Sequence, residues 1–335
     1  MKGYHTFLVL LFSFTYLKGY SSEFFKGADV SWLPQMEETG FVFYDFDGTR
    51  KDVLTILKEN GMNIIRLRTW VSPSKDSVNG YCGKDDTIKM AIRCKKMGFG
   101  VMINFHYSDS WADPSKQRKP KDWEKLTFLQ LKDKVYEYTY DFMESLKEEG
   151  IYPEFVQIGN EINAGMLWPD GSYRNFRKLA SLISSGAKAV RDVSPNTKIV
   201  IHLANGHDRD LFVWFFENLN RYFTDYDVIG MSYYPYWIGK SWRETIGALV
   251  SNMNELALRY GKYVMVVETG GPHYEEEDTY EMIKNLIREV RNVTNKKGIG
   301  VLYWEPQGAF VWSRYSLSAW GDDGRPKKPI KAFLW

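Results

Sequence analysis

The chain has 335 residues, with 44 Lys and Arg against 42 Asp and Glu for a net charge of +2. That balance, without any basic block, offers nothing to track a phosphate backbone, so nucleic acid is excluded as an expected partner. The length allows two average domains or one large α/β barrel, and aromatics at 16%, with 12 Trp and 22 Tyr, supply flat amphipathic surface that suits sugar faces as well as packing.

The chain opens on MKGYHTFLVLLFSFTYLKGYSSEFF, a Lys, an apolar stretch from about Phe7 to Tyr16, then small polar residues. This is the pattern of an export signal over residues 1–20, too short to span a membrane. No Cys follows it, so a lipid anchor is not expected. An exported protein is expected, whether periplasmic, at the cell surface or secreted, without a membrane span and monomeric. The two cysteines, Cys82 and Cys94, can bridge in such a compartment or stay as buried thiols.

From residue 24 to 335, short β-rich apolar runs alternate with amphipathic stretches. Strands are expected at 25–32, 62–70, 99–106, 154–160, 198–203, 227–234, 263–269 and 300–305. Helical patterns fall at 50–60, 85–97, 127–149, 173–192, 210–220, 242–260 and 275–292, with a short last one near 327–334. The apolar period changes from continuous to 3.6 at each crossing, as parallel strands covered by helices require. Asn60-Gly61, Gly98, Gly150, Gly261 and Gly298 read as helix C-terminal signals. With no linker or repeat to divide it, the chain is predicted to be α/β, a single (β/α)8 TIM barrel.

In such a barrel the C-terminal strand ends build the active site. The polar residues there are Asp29, Arg66, Arg68, His106, Asp109, Asn160, Glu161, His202, Asn205, Tyr233, Tyr234, Glu268, Trp304 and Glu305. Strand-end polar groups also cap helices and bind water, so a single one decides little. Two carboxylates stand out. Glu161 follows the fourth strand in FVQIGNEINAG and Glu268 ends the seventh, and those strands face each other across a barrel mouth. Glycoside cleavage needs one group to protonate the leaving oxygen and another to attack or stabilise the anomeric carbon. The bland alternative for Glu161 is a helix-start carboxylate set against the macrodipole.

The segments GADVSWL, NIIRLRTWVSP, VMINFHYSDSWADP, VQIGNEINAGMLWPDG, IVIHLANG, VIGMSYYPYW, VVETG and LYWEP resemble the strand ends of the endo-β-1,4-galactanases of glycoside hydrolase family 53, clan A. The resemblance runs from about residue 27 to the C-terminus. It implies retention of anomeric configuration, with Glu161 as acid/base and Glu268 as nucleophile. It also implies that Asn160 binds sugar and that Arg66 steadies the nucleophile, and it makes β-1,4-galactan the expected polysaccharide partner. A retaining pair is expected about 5 to 5.5 Å apart. Glu268 is expected to be held ionised by Arg66 and the Tyr233 hydroxyl, and Glu161 to start protonated.

Asp29, Arg66, His106, Asp109, Trp111, Asn160, His202, Tyr233 and Trp304 are the expected substrate-binding residues. Trp111, in a polar loop before Pro114, reads as a stacking platform or a loop anchor. Trp304 reads as a sugar floor or a core residue. Trp168, Trp237, Trp312 and Trp320 carry a weaker signal. The long calcium-binding insertion of some bacterial members is absent after Glu305. Glu275 to Asp278 reads as a helix start, and the histidines lack metal-ligand spacing. No metal and no cofactor are expected. Another clan A endo-glycanase acting on mannan, xylan or cellulose would show the same glutamates, and a noncatalytic galactan-binding barrel would not need them.

Overall fold

In the computed structural model, residues 24–74 and 81–335 are described; the expected export segment lies outside them. Eight parallel strands close into a barrel in chain order. They are β1 (Phe25–Asp29), β2 (Ile64–Thr69), β3 (Gly100–Phe105), β4 (Phe155–Ile158), β5 (Lys198–Leu203), β6 (Val228–Tyr233), β7 (Tyr263–Thr269) and β8 (Gly298–Trp304). Between them run α1 (Val53–Glu59), α2 (Lys84–Lys96), α3 (Phe128–Glu148), α4 (Phe176–Val193), α5 (Arg209–Leu219), α6 (Trp242–Tyr260) and α7 (Glu276–Arg291). The eighth helical layer is a 3-10 segment, Lys328–Leu334. All eight predicted strands and seven of the eight helices stand within a few residues of their expected bounds.

Helix starts follow their capping chemistry. Thr127 and Gln130 form a reciprocal capping box on α3, and Ser241 with Glu244 does the same on α6, satisfying amide groups that the first turn leaves open. Gly261 ends α6 at φ +66°, where a side chain would be strained. Gly298 differs from the expected C-terminal signal: it opens β8, and a Cβ there would meet the Val290 carbonyl, so close approach rather than backbone freedom requires it.

Inward-facing residues alternate along each strand, and their polarity changes with height. Ile64, Met102, Phe155, Val200, Val228 and Met265 plug the lower barrel as one apolar cluster. Two residues further along their strands come Arg66, Asn104, Gln157, His202 and Gly230, four of them polar, buried and hydrogen-bonded to one another through Gln157. The larger apolar core lies between barrel and helices. β7 carries a bulge: Met231 pairs with Val266, but Ser232 pairs with Glu268, so β7 holds one extra residue there. Cys82 and Cys94 are both buried thiols that form no disulfide, and burial pushes each up to about 12. No helix among the described residues is long and apolar enough to cross a membrane.

Candidate active site

Four strand ends turn through residues in the left-handed region, Tyr107, Glu161, Asn205 and Glu305. Side chains other than Gly rarely sit there, and such strain is held in place by surrounding contacts. At Glu161 (φ +46°) the turn follows Gly159 and Asn160 and lifts the carboxyl into a cleft of about 290 Å³. Glu268 reaches the same cleft from β7, because the bulge turns it inward beside Ser232. Larger surface depressions exist, one of about 660 Å³ beside Arg325 and Lys328, but it holds none of the strand-end groups.

Arg66 is the hub of the site. Fully buried, it places Nη2 2.7 Å from Glu268 Oε1 and Nη1 2.9 Å from Asp29 Oδ2. It also donates to Asn160 Oδ1 at 3.0 Å and to Gln157 Oε1 at 3.1 Å. The planar guanidinium suits this because its donors leave in fixed, divergent directions. Asn160 is thereby fixed: Oδ1 also accepts from Asn104 at 3.1 Å, and Nδ2 gives one hydrogen to the Ala112 carbonyl at 2.8 Å. Its second amide hydrogen is left for the cleft that Asn160 lines.

Burial, and after it the charge of Glu268, pushes the Glu161 carboxyl up to about 8, against a hydrogen bond from the Ser232 hydroxyl at 2.6 Å. Glu268 was expected to be held low. Burial instead raises it too; Arg66 opposes, Asp29 adds to the rise, and a hydroxyl hydrogen bond lowers it. What separates the two glutamates is the guanidinium against Glu268, so Glu161 is the stronger proton holder of the pair.

That hydroxyl corrects a second expectation. Tyr234, not Tyr233, donates to Glu268 Oε2 at 3.3 Å. Tyr233 points away from the cleft into the helix layer, where its oxygen meets Thr245 at 2.8 Å, as the alternation of neighbours along a strand dictates. Four further residues expected to touch substrate are turned elsewhere. Asp29 and Arg66 are fully buried and bound to each other. His202 is fully buried with both ring nitrogens engaged by protein groups. Asp109 closes a loop by accepting from the Ser72 and Lys121 amides.

His106, Trp111, Asn160 and Trp304 do line the cleft. His106 Nδ1 accepts from Trp70 Nε1 at 3.1 Å and from the Ala112 amide at 3.3 Å, leaving Nε2 to carry the proton. Burial, then Arg68 and Arg66, hold its pKa well below the usual range. Trp111 and Trp304 pack edge to face at 5.8 Å, and Trp111 lies 4.5 Å from the Arg68 guanidinium. Arg68 in turn pairs with the buried Glu305, which also accepts from the Trp32 amide at 3.1 Å, so Glu305 braces the wall.

Sequence reasoning missed Gln157, Ser232, Tyr315 and the place of Trp237. Trp237 is 65% exposed and stands at the cleft, on the single turn Pro235–Ile238. Trp168, by contrast, is held to the Ala164 carbonyl at 2.9 Å, Trp312 to the Thr39 hydroxyl at 2.9 Å, and Trp320 is core. Among the described residues no group of three or more His, Cys, Asp or Glu is placed to hold a metal.

A (β/α)8 barrel that presents two glutamates of unequal proton affinity in one aromatic-walled cleft is the architecture of a glycoside hydrolase. The model of Glycosyl hydrolase family 53 matches residues 25–324. An arabinogalactan endo-beta-1,4-galactanase of Humicola insolens is 36% identical, over 84% of this chain and 89% of its own. An endo-beta-1,4-galactanase of Bacillus subtilis is 34% identical, over 87% of this chain and 71% of its own. A solved structure described as one of two fungal beta-1,4-galactanases superposes with a TM-score of 0.85 at 33% identity, covering 92% of this chain and 98% of that one. The chain belongs to glycosyl hydrolase family 53.

Proposed function

We propose that the protein is an exported, endo-acting galactanase that cleaves internal β-1,4-galactosidic bonds of pectic galactan with retention. Glu161 protonates the leaving oxygen while Glu268 attacks the anomeric carbon. With the glycosyl-enzyme formed, Glu268 no longer carries charge, the affinity of Glu161 for its proton falls, and Glu161 draws a proton from the incoming water. The observation that carries this reading is the asymmetry of the pair, one carboxylate against Arg66 at 2.7 Å and the other with no cation in contact among the described residues. The named relatives support galactan as substrate. Asn160 and the His106 Nε2 proton are suited to sugar hydroxyls, and Trp111, Trp237 and Trp304 to sugar faces.

The test is reducing-end release from purified β-1,4-galactan, with mannan and xylan alongside and the first products followed by NMR. Galactan alone should be cut, with β-anomers appearing first. Turnover of mannan or xylan instead would move the protein to another clan A specificity. Binding of galactan with no release would make it a sugar-binding barrel.

A further inference from the structure

We propose that His202 and Ser232 act as positioning residues that confine the acidic proton of Glu161 to its Oε2 oxygen, the one left free to meet the leaving group. The inference rests on the reading of Glu161 as the acid/base.

The groups form a closed ring of hydrogen bonds around one residue. Glu161 donates its backbone N–H to His202 Nδ1 at 3.4 Å, His202 Nε2 lies 2.9 Å from Ser232 Oγ, and Ser232 Oγ donates to Glu161 Oε1 at 2.6 Å. Direction around the ring follows from its neighbours. The Glu161 backbone N–H can only donate, so Nδ1 serves as an acceptor and the ring proton sits on Nε2. The reverse order would send an Nδ1 proton to Asn160 Oδ1 at 3.2 Å, an oxygen already taken by Arg66 and Asn104. With Nε2 donating to it, the Ser232 hydroxyl spends its own hydrogen on Glu161 Oε1. A carboxyl oxygen receiving that bond is the poorer seat for the acidic proton, which therefore resides on Oε2.

The same ring holds the backbone of Glu161, whose φ of +46° needs such support. It is sealed from the cleft, since His202 and Ser232 are buried and neither lines the cavity. Burial, with Arg66 and His106 nearby, keeps His202 neutral. The charged and titratable groups facing Glu161 are Glu268 from β7, Asp113 and Lys116 from the loop after β3, Arg66 from β2 and Tyr234 after β6. Substitution at Ser232 leaves all of them in place.

The test compares Ser232→Ala, Ser232→Thr and His202→Gln with the wild type on galactan and on a 2,4-dinitrophenyl β-galactobioside. That leaving group departs without protonation, and kcat/KM reports only the steps up to the glycosyl-enzyme. Ser232→Ala is expected to lose about 10- to 100-fold in kcat/KM on galactan and less than about threefold on the aryl glycoside. Its alkaline limb should move to higher pH, because the lost donor favoured ionised Glu161. His202→Gln should show the same split more weakly, and Ser232→Thr, which keeps the hydroxyl, should restore the galactan rate. Equal losses on both substrates, or none, would overturn the proposal alone. A wild type that does not cut galactan, or an active Glu161→Gln, would overturn the functional reading and the proposal with it.

Discussion

Glu268→Gln is expected to lose at least about 10⁴-fold in galactan turnover on every substrate, activated or not, because no glycosyl-enzyme can form. Glu161→Gln is expected to behave differently. On galactan it should lose about 10²- to 10⁴-fold, yet on a dinitrophenyl β-galactobioside the first step should survive, and added azide should trap the intermediate as the β-galactosyl azide. The wild-type pH profile should be a bell. The reactive form has Glu161 protonated and Glu268 ionised, so falling pH removes activity by protonating Glu268 and rising pH removes it by stripping Glu161. With Glu161 pushed up to about 8, the alkaline limb should lie well above any ordinary carboxylate, and Glu161→Gln should abolish it. An identical response of the two variants to leaving group and azide would contradict the division of roles.

Arg66→Met is expected to damage stability and catalysis together. The guanidinium lies 2.9 Å from Asp29 and 2.7 Å from Glu268, with Arg68 a more distant 3.8 Å from Asp29, and both carboxylates are buried. Its removal should cost about 3 to 5 kcal/mol, the penalty of leaving buried charge without its partner. Glu268 should then hold its proton to higher pH, moving the acidic limb upward. Arg66→Lys keeps the charge but cannot reach Glu268, Asp29, Asn160 and Gln157 in their divergent directions. It should therefore melt closer to the wild type while still losing most of kcat. Thermal melts and pH profiles of the two variants check this, and a Met variant with unchanged melting would show that the hub is dispensable.

The barrel was legible in the sequence because each strand is apolar on both faces and each helix only on one, a contrast that survives without tertiary information. The glutamates were legible because they end such strands. The polar layer was harder. Gln157 sits within the apolar run FVQI and reads as an exception, until alternation assigns it inward beside Asn160 and His202. Tyr233 and Tyr234 carry equal chemistry in the sequence, and only the strand's pleat sends one to Thr245 and the other to Glu268. His202 looked like a sugar ligand because strand ends were read as cleft surface. Their upper layer is in part a buried scaffold, and burial depends on side chains from strands far apart in sequence.

The bulge on β7 bears on how this enzyme can be engineered. By simple alternation Met265 and Val267 face inward, and the next residue would face the helices. The extra residue breaks that parity and brings Glu268 back toward the axis. A designer regularising the sheet by keeping Val267 and pairing it with Ser232 would gain an unbroken ladder and a carboxylate pointing at the helix layer, a tidier and inert protein. In this barrel the irregular step in the sheet is the address of the proposed nucleophile, and any transplant of the site to another scaffold has to carry the irregularity along with the side chain.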